Sequence, residues 1–382
     1  MTRTFDLQPV PFDPPYQLRQ SRLFTSLTAG DTDMLVLNPG PSLTYLTGLH
    51  FHLSERPVIA IFTPHHPVIL ILPELEAGKT ESLPFDVSTF PYGENPEEWL
   101  AVFRQASLAA GMSGKQIGVE PDRLRFLELE LLKSAAPEAT FISAEEMIAN
   151  FRMIKDASEI KAMHNAVKIA QDALTNALPQ FKIGMTEHDF SAELTLQILR
   201  AGSDSEIPFS PIVSAGSNSA NPHATPTKRP IQSGDLLVID WGASYQGYIS
   251  DMTRTFAIGE VESEFEKIAQ IVLYANQAGR EKVKPGLALE EIDQAAREVI
   301  QKAGYGEYFI HRTGHGIGMD THEPPYVRAG NSMRIETGMT FTIEPGIYLP
   351  ARGGVRIEDD ILVTSNGAES LTNLPRTLET LT

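Results

Sequence analysis

Two stretches of this 382-residue chain repeat one another at a nearly constant offset. Lys182-Ile-Gly184-Met185 opens a segment that ends Arg200-Ala-Gly202. Lys284-Pro-Gly286-Leu287 opens a second that ends Lys302-Ala-Gly304, 102 residues later and without a gap. Gly234-Asp-Leu-Leu-Val-Ile-Asp240-Trp-Gly242 returns as Gly338-Met-Thr-Phe-Thr-Ile-Glu344-Pro-Gly346 at an offset of 104. Pro222-His223-Ala-Thr-Pro226 returns as Thr321-His322-Glu-Pro-Pro325 at 99. A period this long, with only two copies, does not make a solenoid. It predicts two similar α/β halves facing each other across a pseudo-twofold axis. A site on that axis would receive matched residues from each half.

The chain before the repeat has a different pattern. Met34–Leu37, Val58–Phe62 and Val68–Leu72 are short apolar runs, punctuated by Pro39-Gly40-Pro41 and by Pro64-His65-His66-Pro67. They read as strands. Residues 97–110 and 123–134 read as helices, so strands and helices alternate as in an α/β domain. We therefore expect a first domain over residues 1–150 and a second over 151–382. The second opens with Asp156-Ala-Ser-Glu159, a helix-start signature, followed by an apolar face of Ile160, Met163, Val167, Ala170 and Leu174.

Composition narrows the partners. Asp plus Glu number 49 against 31 Lys plus Arg, a formal net charge of −18. Nucleic acid and anionic membrane surfaces both call for a basic patch, so neither is expected. There is no Cys, which excludes disulfides, thiolate metal sites and cysteine nucleophiles. The first 15 residues lack the apolar stretch of a secretory signal, and the Pro-His-His-Pro break keeps residues 57–75 from spanning a bilayer. The expectation is a soluble, cytoplasmic protein.

Carboxylates concentrate in the repeat. Leu236, Val238 and Asp240 share one face of a strand, and Ile249, Asp251, Thr253 and Thr255 one face of the next. Reading Ser244-Tyr-Gln-Gly247 as the hairpin turn sets Asp240 directly opposite Asp251, with Cβ atoms ~5 Å apart. Two bare anions at that distance repel, and a shared proton or a cation relieves them. The second half repeats the layout. Thr340, Thr342 and Glu344 share one face, and Arg356, Glu358 and Asp360 share another. His311-Arg-Thr-Gly314-His315-Gly-Ile-Gly318 lies nearby as a Gly-rich turn exposing an imidazole. Asp240, Asp251, Glu344 and Glu358 with a neutral His315 balance two divalent cations. The mostly oxygen donor set suits Mn²⁺, Co²⁺ or Zn²⁺, and suits Mg²⁺ less because of the imidazole. Two such ions ~3.5–4 Å apart can activate water and polarise a carbonyl.

These residues resemble the creatinase/prolidase/methionine-aminopeptidase family of metallopeptidases, whose catalytic domain is called the pita-bread fold. The resemblance covers residues 150–382. The preceding ~150 residues, with Tyr45-Leu-Thr-Gly48, resemble the N-terminal domain of the creatinase and Xaa-Pro peptidase branch. The family motif has Asp, Asp, His, Glu, Glu in order, and Asp240, Asp251, His315, Glu344 and Glu358 match it one for one. The resemblance implies that Asp251 and Glu358 lie between the metals, Glu358 bridging them. It implies a substrate-side role for His223 and a place beside the scissile carbonyl for His322. Arg356 resembles the family arginine that supports a ligand from behind. Phe209 departs from members that carry Tyr there.

The fold class this implies is mixed α/β, with a creatinase-like N-terminal domain followed by a pita-bread catalytic domain. The implied activity is hydrolysis of the Xaa-Pro bond in proline-containing di- or oligopeptides. Glu344 would serve as general base and acid, and His322 together with the metals would stabilise the oxyanion. The N-terminal domain points away from methionine aminopeptidases, which resemble only the catalytic half. The complete ligand set points away from metal-free creatinase and from family members that lost their ligands and became binding modules. An Xaa-Pro dipeptidase (prolidase) is the first reading and aminopeptidase P the second. The compact length and the His-Arg-Thr-Gly-His run favour the first. The resemblance further implies a homodimer in which part of the N-terminal domain, near His50, His52 and Arg56, leans over a neighbour's active site. His65 and His66, between prolines, read as a solvated loop.

Overall fold

The computed structural model describes residues 14–382. The leader reading of the first 15 residues falls almost wholly outside that range. Two compact units result, one ending at Arg152 and one running Met153–Thr382.

The first unit holds α1 (Tyr16–Ala29), β1 (Met34–Leu37), α2 (Pro41–Thr47), β2 (Ile59–Phe62), β3 (Val68–Pro73), β4 (Val87–Tyr92), α3 (Pro96–Ala110), β5 (Gln116–Val119), α4 (Phe126–Ala135), β6 (Thr140–Ser143) and α5 (Glu145–Arg152). Its six strands form one sheet in the order β4-β3-β2-β1-β5-β6. Every residue of β1, β2 and β3 is buried, which is why these strands read as unbroken apolar runs. The helix expected from residue 123 begins only at Phe126. Arg123 and Leu124 instead donate their N–H groups to the Glu120 carbonyl, closing a turn ahead of the helix.

The second unit opens with α6 (Ala157–Ala177), α7 (Glu187–Arg200), β7 (Ile212–Ala215), β8 (Leu236–Trp241), β9 (Ser244–Tyr245), β10 (Tyr248–Ile249) and β11 (Met252–Ile258). It continues with α8 (Ser263–Lys282), α9 (Leu289–Lys302), β12 (Gly314–Gly316), β13 (Glu323–Val327), β14 (Thr340–Ile343), β15 (Gly346–Leu349), β16 (Gly353–Arg356), β17 (Asp359–Thr364), β18 (Gly367–Ser370) and β19 (Glu379–Leu381). Asp156 caps α6 as expected. Its side chain accepts from the Ser158 and Glu159 amides while Glu159 accepts from the Asp156 amide. Such a cap stabilises a helix by about 1 kcal/mol.

The repeat is real in three dimensions. α7 and α9 begin and end at the 102-residue offset, and each half adds a long helix and antiparallel strands. The two main sheets run β19-β11-β8-β7 and β13-β12-β14-β17-β18. Gly184 and Gly286 explain part of the sequence match. Both adopt positive φ, 95° and 86°, and both donate N–H groups at 2.8 Å, to Ile231 and Ile335 respectively. A side chain at either position would strain that left-handed turn. One core packs α6 and α7 on the first sheet, around Met163, Phe190 and Trp241. Another packs α8 and α9 around Phe265, Ile268 and Ile300. The sheets are stitched together by an isolated bridge, Thr253 to Glu358, where the Glu358 amide donates to the Thr253 carbonyl at 3.1 Å.

The hairpin register differs from the expected one. Tyr245 pairs with Tyr248, so the turn residues are Gln246 and Gly247, with φ of 54° and 78°. Two positive φ values define the tight turn whose twist matches the strands. Asp240 therefore faces Thr253, not Asp251. The slip is an even number of residues, so both aspartates keep their expected face. The second strand also breaks between β10 and β11, at Ser250 and Asp251. Among the described residues, no helix is long and apolar enough to cross a membrane.

Candidate metal centre and active site

All five carboxylate and imidazole groups singled out in the sequence line one cavity of about 600 Å³. Asp240 projects from β8, and Asp251 from the break before β11. His315 lies in β12, Glu344 directly follows β14, and Glu358 sits between β16 and β17. Each half thus delivers donors where its central strands end or kink. Phe209, His223, His311, Arg312, His322 and Arg356 also line it.

Asp251, His315 and Glu358 each offer one ligand atom, and the three atoms lie within 4.8 Å of one another. The His315 Nε2 atom is 3.5 Å from Glu344, 3.8 Å from Asp251 and 4.0 Å from Glu358. Its other ring nitrogen, Nδ1, is 3.1 Å from the Gly316 carbonyl. A carbonyl only accepts, so Nδ1 carries the hydrogen and Nε2 turns a lone pair toward the carboxylates. Asp240 Oδ1 and Asp251 Oδ1 are buried with no hydrogen-bond partner. Leaving such oxygens unpaired costs about 1–3 kcal/mol each, more when charged.

The electrostatics agree. Burial, then the charges of Glu358 and Asp240, push Asp251 well above the usual carboxylate range. Burial and Glu344 do the same to Glu358. Burial raises Glu344 to about 7. Burial also pushes His315 well down, so its imidazole is neutral. Crowded acids around a neutral imidazole are unfavourable alone and favourable around a cation. The unpaired oxygens, the free lone pair and the hard, mostly oxygen donor set fit divalent metal ions.

Behind the donors lies a hydrogen-bonded relay. Arg356 Nη2 donates to Asp240 Oδ2 at 2.5 Å, which leaves Oδ1 free. The same guanidinium donates to Thr253 Oγ1 at 3.0 Å, to the Tyr348 hydroxyl at 2.9 Å and to the Pro222 carbonyl at 3.3 Å. Thr253 in turn donates to Glu358 Oε2 at 2.7 Å. His311 Nδ1 donates to the Arg312 carbonyl at 2.7 Å, so its Nε2 accepts from the Tyr348 hydroxyl at 2.9 Å. Burial, with Arg356 nearby, lowers His311 to about 4, which keeps it neutral for that role. Asp360 Oδ2 accepts from the Asp251 amide at 3.1 Å and fixes the break in that strand. Tyr348 and the role of His311 escaped the sequence reading. The available signal was spacing, four residues after Glu344 and four before His315.

His223 and His322 line the same cavity, as the repeat expected. The His322 ring meets His315 edge-on with centroids 4.2 Å apart. Among the described residues, neither ring forms a hydrogen bond or ion pair with the four carboxylates of the cavity.

The sequence profile of metallopeptidase family M24 matches residues 161–365, and that of the Creatinase/Prolidase N-terminal domain matches residues 19–154. An Xaa-Pro dipeptidase of Lactobacillus helveticus is 33% identical over 355 residues, 92% of this chain and 96% of that protein. The crystal structure of a dipeptidase from Pyrococcus horikoshii OT3 superposes with a TM-score of 0.90 at 38% identity, covering 95% of this chain and 100% of that one. The crystal structure of an X-Pro aminopeptidase from Thermotoga maritima MSB8 gives 0.83 at 29% identity, covering 94% and 99%. Profile, length coverage and fold agree: this chain belongs to metallopeptidase family M24, and carries a pita-bread catalytic domain after a Creatinase/Prolidase N-terminal domain.

Proposed function

We propose that the protein is an Xaa-Pro dipeptidase that works with two divalent ions per chain, Mn²⁺ or Co²⁺ first and Zn²⁺ next. The observation that carries this reading is the buried Asp251, His315 and Glu358 cluster, with unpaired oxygens on Asp251 and the neighbouring Asp240, set in a cavity walled by His223 and His322. Asp240, Asp251, His315, Glu344 and Glu358 would hold the metals. Bound there, the ions supply Lewis-acid polarisation of the scissile carbonyl and activation of a water molecule.

The chain's own groups do the rest. Glu344 takes the proton of the attacking water and passes it to the proline nitrogen as the C–N bond breaks. Its burial, which raises it to about 7, suits both halves of that transfer. His322, against His315, donates a hydrogen bond to the oxygen that gains charge in the tetrahedral transition state. His223 positions the substrate from the opposite half. Arg356 keeps Asp240 oriented through Oδ2 so that Oδ1 faces the metal site.

The deciding assay compares Ala-Pro with a longer Xaa-Pro peptide, after chelation and reloading with Mn²⁺ or Co²⁺. A dipeptidase strongly prefers Ala-Pro. Equal or higher kcat/KM on the longer peptide would make the protein an aminopeptidase P. We also propose a homodimer, with the N-terminal domain of one copy near the cleft of the other. Light scattering giving a monomer at micromolar concentration removes that part of the proposal.

A further inference from the structure

Glu187 is the first residue of α7, and its side chain is fully buried. It lies outside the cavity lining, yet its carboxylate is saturated with hydrogen bonds from one stretch of chain. Oε1 accepts from the Ala215 amide at 2.7 Å and from Asn218 Nδ2 at 3.0 Å. Oε2 accepts from Asn218 Nδ2 at 3.0 Å, the Thr227 amide at 2.9 Å and the Thr227 hydroxyl at 2.6 Å. All of these contacts run toward the carboxylate. Among the described residues no Lys or Arg forms an ion pair with it, so the buried carboxyl group is met by fixed N–H and O–H groups.

The placement of the donors matters. Ala215 and Asn218 precede His223 in the chain, and Thr227 follows it. One carboxylate therefore holds both feet of the segment that carries His223 to the cavity. The segment has backbone ties as well: the His188 amide donates to the Thr227 carbonyl at 3.0 Å, and Ala215 pairs with Leu237 in the sheet. Ser219 Oγ accepts from the Gly354 amide at 2.9 Å, and the Pro222 carbonyl accepts from Arg356. Among the described residues His223 itself has one hydrogen bond, its amide donating to Asn221 Oδ1 at 3.1 Å. Its ring position is thus inherited from the segment's ends.

We infer that Glu187 is a positioning residue, which sets the His223 loop by clamping Ala215, Asn218 and Thr227 at once. The inference rests on the substrate-positioning reading of His223 given above. Glu187→Gln tests it with little change of shape. The amide's Nε2 must face at least two donors whichever way it is placed, so one foot of the loop loses its side-chain clamp and keeps only its backbone ties. None of the five metal donors lies on this loop, so metal content should stay unchanged.

The experiment measures metal content and steady-state kinetics on Ala-Pro for Glu187→Gln, His223→Ala and the double variant, with Thr227→Val and Thr227→Ser alongside. The expected result is a KM raised about fivefold or more in Glu187→Gln with kcat changed much less. Thr227→Val should show a smaller rise in the same direction, and Thr227→Ser, which keeps the hydroxyl, should stay near wild type. In the His223→Ala background, Glu187→Gln should add less than about a twofold further change, because both act through one ring. Full additivity, or a loss of metal in Glu187→Gln, overturns the inference and makes Glu187 a general structural residue. Wild-type kinetics in His223→Ala overturns the reading of His223 itself, and the inference with it. Should Glu187→Gln fail to fold, the two Thr227 variants decide: equal KM in Val and Ser overturns the inference.

Discussion

His223 and His322 occupy matched loops in the two halves, yet the loops are fastened by different chemistry. The first has Glu187 at both ends, accepting from amide and hydroxyl groups without an ion pair among the described residues. The second is held beside His322 by a buried ion pair, Lys155 Nζ to Glu323 Oε1 at 2.6 Å, with side chains 1% and 5% exposed. Lys155 is anchored in turn, its amide donating to the Gly338 carbonyl at 2.9 Å. The pair leaves no room beside it. A Cβ at Gly318 would sit 2.6 Å from Glu323 Oε1 and 2.9 Å from Lys155 Cε. The same backbone frame thus supports two local solutions. Pseudo-symmetry preserves where the strands and glycine turns go, while fastening follows whatever partners each half happens to face.

The centre shared by both halves is where the largest effect should appear. Asp251→Ala and Glu358→Ala each remove a donor from one half and should silence the enzyme with loss of bound metal. Elemental analysis and turnover on the same preparation check this. Full metal and activity in either variant would mean that the donor cluster is not the working centre.

The next effect is on stability. Lys155→Met removes the short lysine contact of the buried Glu323 carboxylate, which should destabilise the fold by about 1.5–3 kcal/mol. Urea denaturation measures it. Replacing both partners with apolar residues should recover most of that loss, and a double variant as weak as the single would contradict the ion-pair account.

The two histidines should then separate. His322→Ala should retain metal and lose turnover, by the ~2.7–4 kcal/mol typical of a lost oxyanion donor. His223→Ala should retain metal as well, lose less in kcat and gain more in KM. Identical kinetic profiles would erase the functional distinction between the halves.

The smallest effect belongs to Asp359, whose counterpart across the 107-residue offset between Asp251 and Glu358 is the apolar Met252. Burial alone would raise Asp359. The Arg254 and Arg376 guanidinium groups, with hydrogen bonds from Arg376 and Thr372, outweigh it and hold the carboxyl at about 2. A folded value below the unfolded one stabilises the protein above about pH 4, and that contribution is lost as pH falls toward 2. It amounts to about 2 kcal/mol at neutral pH. Acid titration of Asp359→Asn should lack this component. An unchanged acid-unfolding curve would show that the arginine cluster does not couple to folding through Asp359.

Much of the site was legible because its signals are local. The alternation along residues 235–242 and 340–344 tells which side chains share a face, whatever the pairing turns out to be. Hence Asp240, Asp251, Glu344 and Glu358 could be grouped before any contact was known, and the repeat paired His223 with His322. The resemblance then supplied a metal centre and an Xaa-Pro peptidase. What stayed hidden depends on side chains meeting across long stretches of chain. Nothing near Glu187 in sequence announces Thr227, and nothing near Lys155 announces Glu323.

The division between sequence and tertiary structure is clearest at the hairpin after β8. Residue type and alternation determined that Asp240 and Asp251 lie on one face, since a two-residue slip leaves that face unchanged. They also determined the strand cores, the α6 cap and the order of the five donors. Only the folded chain decided that Gln246 and Gly247 turn with positive φ, that Asp240 faces Thr253, and that Thr253 reaches across to Glu358. The physical reason is range. Periodicity and capping act over a few residues and are written in the chain. Register, the relay from His311 to Asp240 and the pairing of buried charges are settled by which partner satisfies each polar group once water has been excluded.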